Sequence, residues 1–506
     1  MKLSRYNLKN INAKDLVVPE DKIFDLPEKV LQFGTGVLLR GLPDYFIDKA
    51  NREGIFNGRI VVVKSTSAGD SADFQKQDGL YTLCVRGLEN GEKKTENIIN
   101  SSISRVLSAT NEWEQILDCA KNIQMKIIIS NTTEVGIQLV HEDIRKHPPV
   151  SFPGKLLAFL LARYNAFGGS ADSGMVIVPT ELVVNNGKKL ESIVLELAHL
   201  NGLEDGFILW LESNNHFCNT LVDRIVPGKP DKASLALLEE ELGYEDNLLV
   251  MSEVYRLWAI EGGEEVKKAL SFAPCDEGVV IVPDIELYRE LKLRLLNGSH
   301  TLSCGLAFLA GFDTVMTAME DKTFSAFVSD LMQQDIAPSI PFEVDAAQAK
   351  DFCLKVLDRF RNPEIRHQWL AITTQYTSKM QMRIMPVLLK HYQDTDMVPE
   401  KMALGFAAYL YFMKAIRQTD GKYYGDLNGE SYVINDDLTA AFMNSWKGND
   451  TAKVVQEILG DTTLWGSDLN VLPGFSKAVA EKLGMIAEKG ASASLEYEQS
   501  KKVLVS

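Results

Sequence analysis

Apolar residues in the first third of the chain gather in short runs, interrupted inside only by Gln32: Val30-Leu31-Gln32-Phe33, Arg59-Ile-Val-Val-Val-Lys64, Lys126-Ile-Ile-Ile-Ser130 and Gly174-Met-Val-Ile-Val-Pro179. Runs of this length, flanked by charges or turn residues, predict strands covered on both faces, as in a parallel sheet. Between them lie helix-like stretches such as 42–50 and 155–167, and strands alternating with helices predict a sheet with helices on both sides. From about Leu287 the pattern changes. Stretches 324–333, 349–360, 403–417 and 476–488 repeat apolar positions at helical spacing, with few strand runs between them. The expected architecture is α/β: a doubly wound sheet domain over residues 1–283, then a mostly α-helical domain over residues 284–506.

The first strand runs into Gly34-Thr35-Gly36-Val-Leu-Leu-Arg40-Gly41 and then a helix-like stretch. Strand, glycine turn and helix start form a Rossmann-like dinucleotide site, since bare backbone can approach a pyrophosphate. Phe33, Gly34, Thr35, Gly36 and Arg40 are therefore candidate cofactor residues, although Leu39 stands where the usual third glycine would be. The second strand ends on Lys64 rather than on the acid that usually binds a ribose hydroxyl. Lys64 fits either a 2'-phosphate, favouring NADP, or a surface lysine with the ribose held elsewhere, so NAD is expected with NADP left open. Asn131, Thr132 and Glu134 form a polar turn after the next strand, at the edge where such sheets bind ligands.

At 506 residues the chain needs two or three cores, and 45% hydrophobic with 24% charged residues is ordinary globular composition. The net charge of −16 and the lack of a long basic run argue against nucleic acid as a partner. The first residues lack the apolar core of a secretory signal, and the longest apolar run, around 403–416, is broken by Lys414. A cytoplasmic protein without membrane partners, acting on a small molecule, is expected. Six cysteines without paired spacing and scattered histidines predict neither a disulfide framework nor a metal site, so metal-free chemistry is expected.

Lys292-Leu-Arg-Leu-Leu-Asn297-Gly-Ser-His300 places a lysine, an asparagine and a histidine at offsets of zero, five and eight. On an ideal helix turning roughly 100° per residue the three share one face, with leucines between them. A lysine poor in water loses solvation of its charged form and can exchange protons near neutrality, and an amide can donate to an oxygen gaining charge. Such a trio suits interconversion of a carbonyl and an alcohol. Taken alone, the pattern is equally that of solvated charges before an Asn-Gly helix stop.

With both features in view, the chain resembles the polyol-specific long-chain dehydrogenases, the mannitol dehydrogenase family, over nearly its whole length. The motifs carrying the likeness are Gln32-Phe-Gly34-Thr-Gly36 with Arg40, Leu221-Val-Asp223-Arg224-Ile-Val-Pro227, and residues 292–300. Gln77-Asp-Gly-Leu-Tyr81-Thr, Ser130-Asn-Thr-Thr-Glu134, Asn219-Thr-Leu-Val-Asp223 and Phe360-Arg-Asn362-Pro363-Glu-Ile-Arg366-His367-Gln are similar to its uronate-reducing branch. The resemblance implies that Lys292 is the general acid/base, that Asn297 and Asn186 are oxyanion donors, and that His300 orients substrate or lysine. Without it, Asn186-Gly187 reads as a tight turn, and Asp223, a candidate substrate contact, reads with Arg224 as a buried ion pair.

The chain leaves the polyol pattern at Glu181-Leu182 and Ala371, and a uronate carboxylate would call for Lys379 and Arg383, one helical turn apart. The implied reaction is reduction of the C3 ketone of D-tagaturonate to D-altronate by NADH across an interdomain cleft. Fructuronate reduction and mannitol or arabinitol oxidation are its rivals, with a nucleotide-binding regulator as the reading from another class.

Overall fold

The computed structural model describes residues 1–65, 72–132, 136–448 and 450–505. Two compact units are present, residues 1–87 with 93–285, and residues 88–92 with 286–506.

The first unit is built on a six-stranded, wholly parallel sheet in the spatial order Ile103–Ser108, Arg59–Lys64, Glu28–Phe33, Ile127–Ser130, Val176–Pro179 and His216–Phe217. Counted along the chain this is the order 3-2-1-4-5-6, which reverses direction between the first and fourth strands. The apolar runs are continuous because each strand feeds two cores. Val30, Ile60, Val62, Ile127, Ile129, Val176 and Val178 face one, while Leu31, Phe33, Val61, Val63, Ile128 and Ile177 face the other.

Two smaller sheets complete this unit. One is four-stranded, with Leu16–Val17, Glu92–Asn100, Tyr81–Glu89 and Val250–Glu253, and one three-stranded, with Thr220–Asp223, Leu257–Glu261 and Val279–Val282. The expected helix over 42–50 is the second of two pieces, Val37–Gly41 and Pro43–Arg52. Leu42, at φ −131° and ψ −77°, breaks them, and Pro43 opens the second at a position where no backbone N–H is needed.

The second unit is mostly helical around Glu400–Phe412, whose residues are buried on nearly every side. Helix Ser299–Leu309 packs closely on it, for a Cβ at Gly405 would stand 2.8 Å from both the carbonyl and the side chain of Leu302. One expectation fails here. The stretch 403–417 is not one helix: it ends at Phe412, and Arg417–Thr419, Lys422–Leu427 and Glu430–Ile434 form an antiparallel sheet. Its turns are Asp420-Gly421 and Asn428-Gly429, all at positive φ, the dipeptides that two-residue hairpins select.

Among the described residues no helix is long and apolar enough to cross a membrane, and the six cysteines are free thiols.

Candidate active site

The glycine loop leaves the first strand at the point where the strand order reverses. Gly34 sits at φ +128°, and a Cβ there would stand 2.9 Å from Leu39 Cδ1 and 3.0 Å from the Asn131 carbonyl oxygen. Only glycine fits, so the backbone is bare at the carboxyl edge of the sheet. Around Gly36 the nearest atom to such a Cβ is Asn131 Oδ1 at 4.0 Å, which leaves open space beside the loop. The close packing usually given to a third glycine falls to Gly41, where a Cβ would meet both methyls of Val226 at 2.8 Å. Arg224 fixes the same spot. Its Nη1 donates to the Gly41 carbonyl at 2.6 Å, its Nε donates to Glu253 at 2.9 Å, and its guanidinium lies 4.6 Å from the Tyr45 ring centre. Two motifs far apart in sequence, 32–41 and 221–227, are thus one packed unit.

Arg40 is buried, with Nη1 donating to the Leu248 carbonyl and its guanidinium between the rings of Phe74 and Tyr81. Tyr81 returns a hydrogen bond to the Arg40 carbonyl at 2.8 Å, while Gln77 and the Thr82 amide hold the buried carboxylate of Asp246. The 77–82 motif therefore braces the loop from behind. Beneath it, burial pushes the Asp44 carboxyl up to about 8, against the lowering effect of Gln32 and Arg40.

Phe33 is buried at the strand end, Thr35 is half-buried, and the Asn131 amide donates to the backbone and hydroxyl oxygens of Thr180 at 3.3 and 3.1 Å. Thr132 donates from its backbone N–H and its hydroxyl to Glu181 Oε1 at 2.8 and 3.0 Å, and Ser130 donates to Oε2 at 3.1 Å. Glu181, one of the departures from the polyol pattern, thus ties the fourth strand's turn to the fifth. Lys64 is half-buried at the end of its strand, and Glu134 lies outside the described residues.

Asn186 is tied into the surrounding backbone. Its amide nitrogen donates to Pro179 and Glu181 carbonyls at 3.2 and 3.0 Å and to the Thr220 hydroxyl at 3.1 Å. Its Oδ1 accepts from the amides of Gly187 and Thr220, both at 2.9 Å. Two N–H bonds thus face three protein acceptors. Asn186 is a buried brace joining the turn to strand Thr220–Asp223, and Gly187 is required because a Cβ would stand 2.4 Å from the Cys218 carbonyl group. Asp223 is buried at the end of that strand.

In the second unit Lys292 begins a π-helical turn, Lys292–Gly298, inserted between helices Glu286–Leu291 and Ser299–Leu309. The ideal 100° spacing does not apply here. Hydrogen bonds in such a turn close from residue i to i+5, so Lys292 and Asn297 lie one turn apart on the same side. Lys292, Asn297 and His300 are all half-buried. The Asn297 side-chain amide has no hydrogen-bond partner among the described residues, while its carbonyl accepts from Thr301 at 2.7 Å and Arg383 at 3.4 Å. A second π turn, Met380–Ile384, packs against the first, and Arg294 stitches them, bonding Glu290 at 2.9 and 3.1 Å and the carbonyls of Met382 and Arg383 at 2.6 and 3.0 Å.

His300 stacks on Phe360 at 4.1 Å, with His367 and Trp369 edge-on at 5.3 and 5.9 Å. Its Nε2 is buried without a hydrogen-bond partner. Burial, then His367, Arg359, Arg383 and Lys379, hold the imidazole well below its usual range, so it is neutral. Burial and Lys379 likewise lower His367, and burial lowers Lys379 and Arg383. Lys379 Nζ donates to the Ile372 carbonyl at 2.7 Å and Arg383 Nη1 to the Thr301 hydroxyl at 3.1 Å, so neither spends its charge on a carboxylate there. Cationic groups from 359, 379 and 383 thus converge on one imidazole, with the His367 ring beside it. Of these, sequence reasoning had named Lys379 and Arg383; His367 was visible only as part of the 360–368 motif. Among the described residues no three His, Cys, Asp or Glu side chains form a metal-holding group.

Residues 28–273 match the mannitol dehydrogenase Rossmann domain, and residues 284–487 the mannitol dehydrogenase C-terminal domain. Altronate oxidoreductase of Bacillus subtilis is 38% identical over 481 residues, covering 94% of this chain and 96% of that protein. That of Escherichia coli is 36% identical over 492 residues, covering 96% and 98%. Among solved structures, Pseudomonas fluorescens mannitol 2-dehydrogenase in a ternary complex with NAD and D-mannitol is 24% identical with a TM-score of 0.65, covering 99% and 100%. A substrate-free D-sorbitol dehydrogenase is 21% identical at 0.78, covering 98% and 100%. Both structures share the fold. By its two domain matches and these full-length relatives, the chain belongs to the mannitol dehydrogenase family of oxidoreductases.

Proposed function

We propose that this oxidoreductase uses NADH to reduce D-tagaturonate to D-altronate, and runs the reverse reaction with NAD. The observation that carries the reading is the pair Lys379 and Arg383 beside His300, two cations with no carboxylate partner among the described residues, suited to a sugar acid. The full-length likeness to proteins named altronate oxidoreductase supports the same substrate.

The bare backbone at Gly34 and the open space beside Gly36 fit a dinucleotide pyrophosphate, with Thr35 and Asn131 flanking it. Bound there, the nicotinamide supplies the hydride. Lys292 gives its proton to the ketone oxygen as that oxygen gains charge, and takes it back in the oxidative direction. The uncommitted Asn297 amide donates to the same oxygen and stabilises its charge. Neutral His300 offers Nε2 to a substrate hydroxyl, while Lys379 and Arg383 receive the carboxylate. Proton donor and amide together polarise the carbonyl, the role a metal plays in other dehydrogenases.

Steady-state rates of NADH and NADPH against tagaturonate, fructuronate, fructose and xylulose test the reading. Tagaturonate with NADH should give the highest kcat/KM. Equal rates on fructose would overturn the uronate assignment.

A further inference from the structure

The first unit holds a cavity of about 530 Å³ at the opposite end of the parallel sheet from the glycine loop. Lys29, Ile127, Val176 and His216, which line it, stand at or beside the amino-terminal starts of four adjacent strands. The cofactor residues lie at the carboxyl ends, a strand length away, roughly 13–20 Å. The volume is within the range of small-molecule sites, about 300–1,000 Å³.

Its charges are arranged in depth. Lys29 and Lys126 are half-buried, whereas Lys268, Asp172 and Glu265 are exposed. Lys29 Nζ donates to the Phe56 carbonyl at 2.7 Å beside the Phe56 ring, and a Cβ at Gly58 would stand 2.6 Å from its stem, so the ammonium is fixed in place. Lys126 Nζ is anchored on the Asp172 carbonyl. Among the described residues neither ammonium has a carboxylate within ion-pair distance, nor does Lys268.

Burial lowers the affinity of Lys126 for its proton, Arg163 and Lys268 lower it further, and the Asp172 carboxylate offsets part of this. Arg163 is itself wholly buried and donates only to the carbonyls of Ser173, Ala120 and Asn122. Carbonyls orient a cation without cancelling its charge. In a chain of net charge −16, this is a local excess of fixed, partly dehydrated positive charge facing an open volume.

We propose that this cavity is a second ligand site, taking a small phosphorylated, hydroxyl-bearing molecule such as a sugar phosphate. Two or three ammonium point charges suit a phosphate, which offers acceptors in several directions. The exposed carboxylates of Asp172 and Glu265 accept from hydroxyls at the mouth, and the volume exceeds what inorganic phosphate alone fills. The site is independent of the oxidoreductase reaction, so its failure would leave the proposed substrate untouched.

Thermal denaturation of the full chain saturated with NADH tests it, at constant ionic strength, with glucose 6-phosphate, inorganic phosphate and glucose as probes. Saturating NADH blocks the glycine loop, and the Lys126 and Lys268 variants separate this cavity from the Lys379–Arg383 pair, which NADH leaves open to an anion. Glucose 6-phosphate should raise Tm, phosphate should raise it less, and glucose should leave it unchanged. Lys126→Gln should abolish the shift. Lys268→Gln, on the exposed rim and without structural contacts, should weaken binding about tenfold, the worth of about 1.4 kcal/mol, with NADH affinity unchanged. No shift with glucose 6-phosphate, a shift that both variants retain, or an equal shift with glucose would overturn the proposal.

Discussion

The turn carrying Asn186 and the π turn carrying Asn297 look alike in sequence, since each is an Asn-Gly pair next to charged residues. They are opposites in the fold. Asn186 spends every amide hydrogen on Pro179, Glu181 and Thr220, whereas the Asn297 amide has no protein partner among the described residues. The contrast extends to the regions around them. In the first unit, polar side chains around the cofactor edge are tied to backbone: Arg224 to Gly41, Tyr81 to Arg40, Thr132 to Glu181. In the second, His300 Nε2 is unpartnered, and Arg359, Arg383 and Lys379 lie near enough to lower the proton affinity of the imidazole. A cofactor edge built from backbone needs bracing, because its shape is its function. A site that must meet changing charge on a substrate keeps hydrogen-bonding capacity in reserve.

Replacing the reserved groups should cost the most turnover and the least stability. Lys292→Ala should lower kcat by about 10²–10⁴, the usual worth of a general acid, with NADH affinity by fluorescence titration unchanged. Near-normal turnover would remove Lys292 from the mechanism. Asn297→Ala should lower kcat by about 10²–10³ at unchanged Tm. Asn186→Ala should do the reverse, costing about 1–3 kcal/mol in denaturant unfolding through unsatisfied buried groups while kcat in the remaining folded enzyme stays near normal. If the two asparagine variants behaved alike, the contrast would collapse.

On the cofactor side, Gly34→Ala places a Cβ against Leu39 and the Asn131 carbonyl at φ +128°. A strain of order 1–3 kcal/mol should weaken NADH binding roughly ten- to hundredfold, read by titration.

The smallest effect concerns the bracing beneath the loop. Asp44 is raised from the usual carboxylate range to about 8, so its contribution to stability is fully present in acid and is lost as pH rises through that value. Asp44→Asn should therefore gain stability on the parent as pH rises from about 4 to about 8 and keep that gain above it. A difference independent of pH would show Asp44 to be ionised throughout.

Much of this was legible along the chain, and the misses share a cause. The strands at 30–33, 59–64, 127–130 and 176–179 could be read because two covered faces demand unbroken apolar runs. The glycine at 34 could be read because a strand-to-helix turn at φ +128° admits no side chain. The hairpins at 420–421 and 428–429 had their Asp-Gly and Asn-Gly signals in plain view, hidden by an apolar stretch that looked like a longer helix. The role of Asn186 could not be read at all, because its partners at 179, 181 and 220 are not its neighbours in helical or strand spacing.

By itself the sequence determined which residue types stand ready for chemistry: two glycines after a strand, and a lysine, an asparagine and a histidine within nine residues. Local spacing is enough for that, since backbone periodicity fixes which residues share a face. Only the tertiary structure decided that a π turn puts Lys292 and Asn297 one turn apart on the same side, that Gly41 packs on Val226, and that 359, 367, 379 and 383 converge on His300. Those outcomes depend on burial and on contacts between segments up to 185 residues apart, as at Gly41 and Val226, which no local pattern encodes.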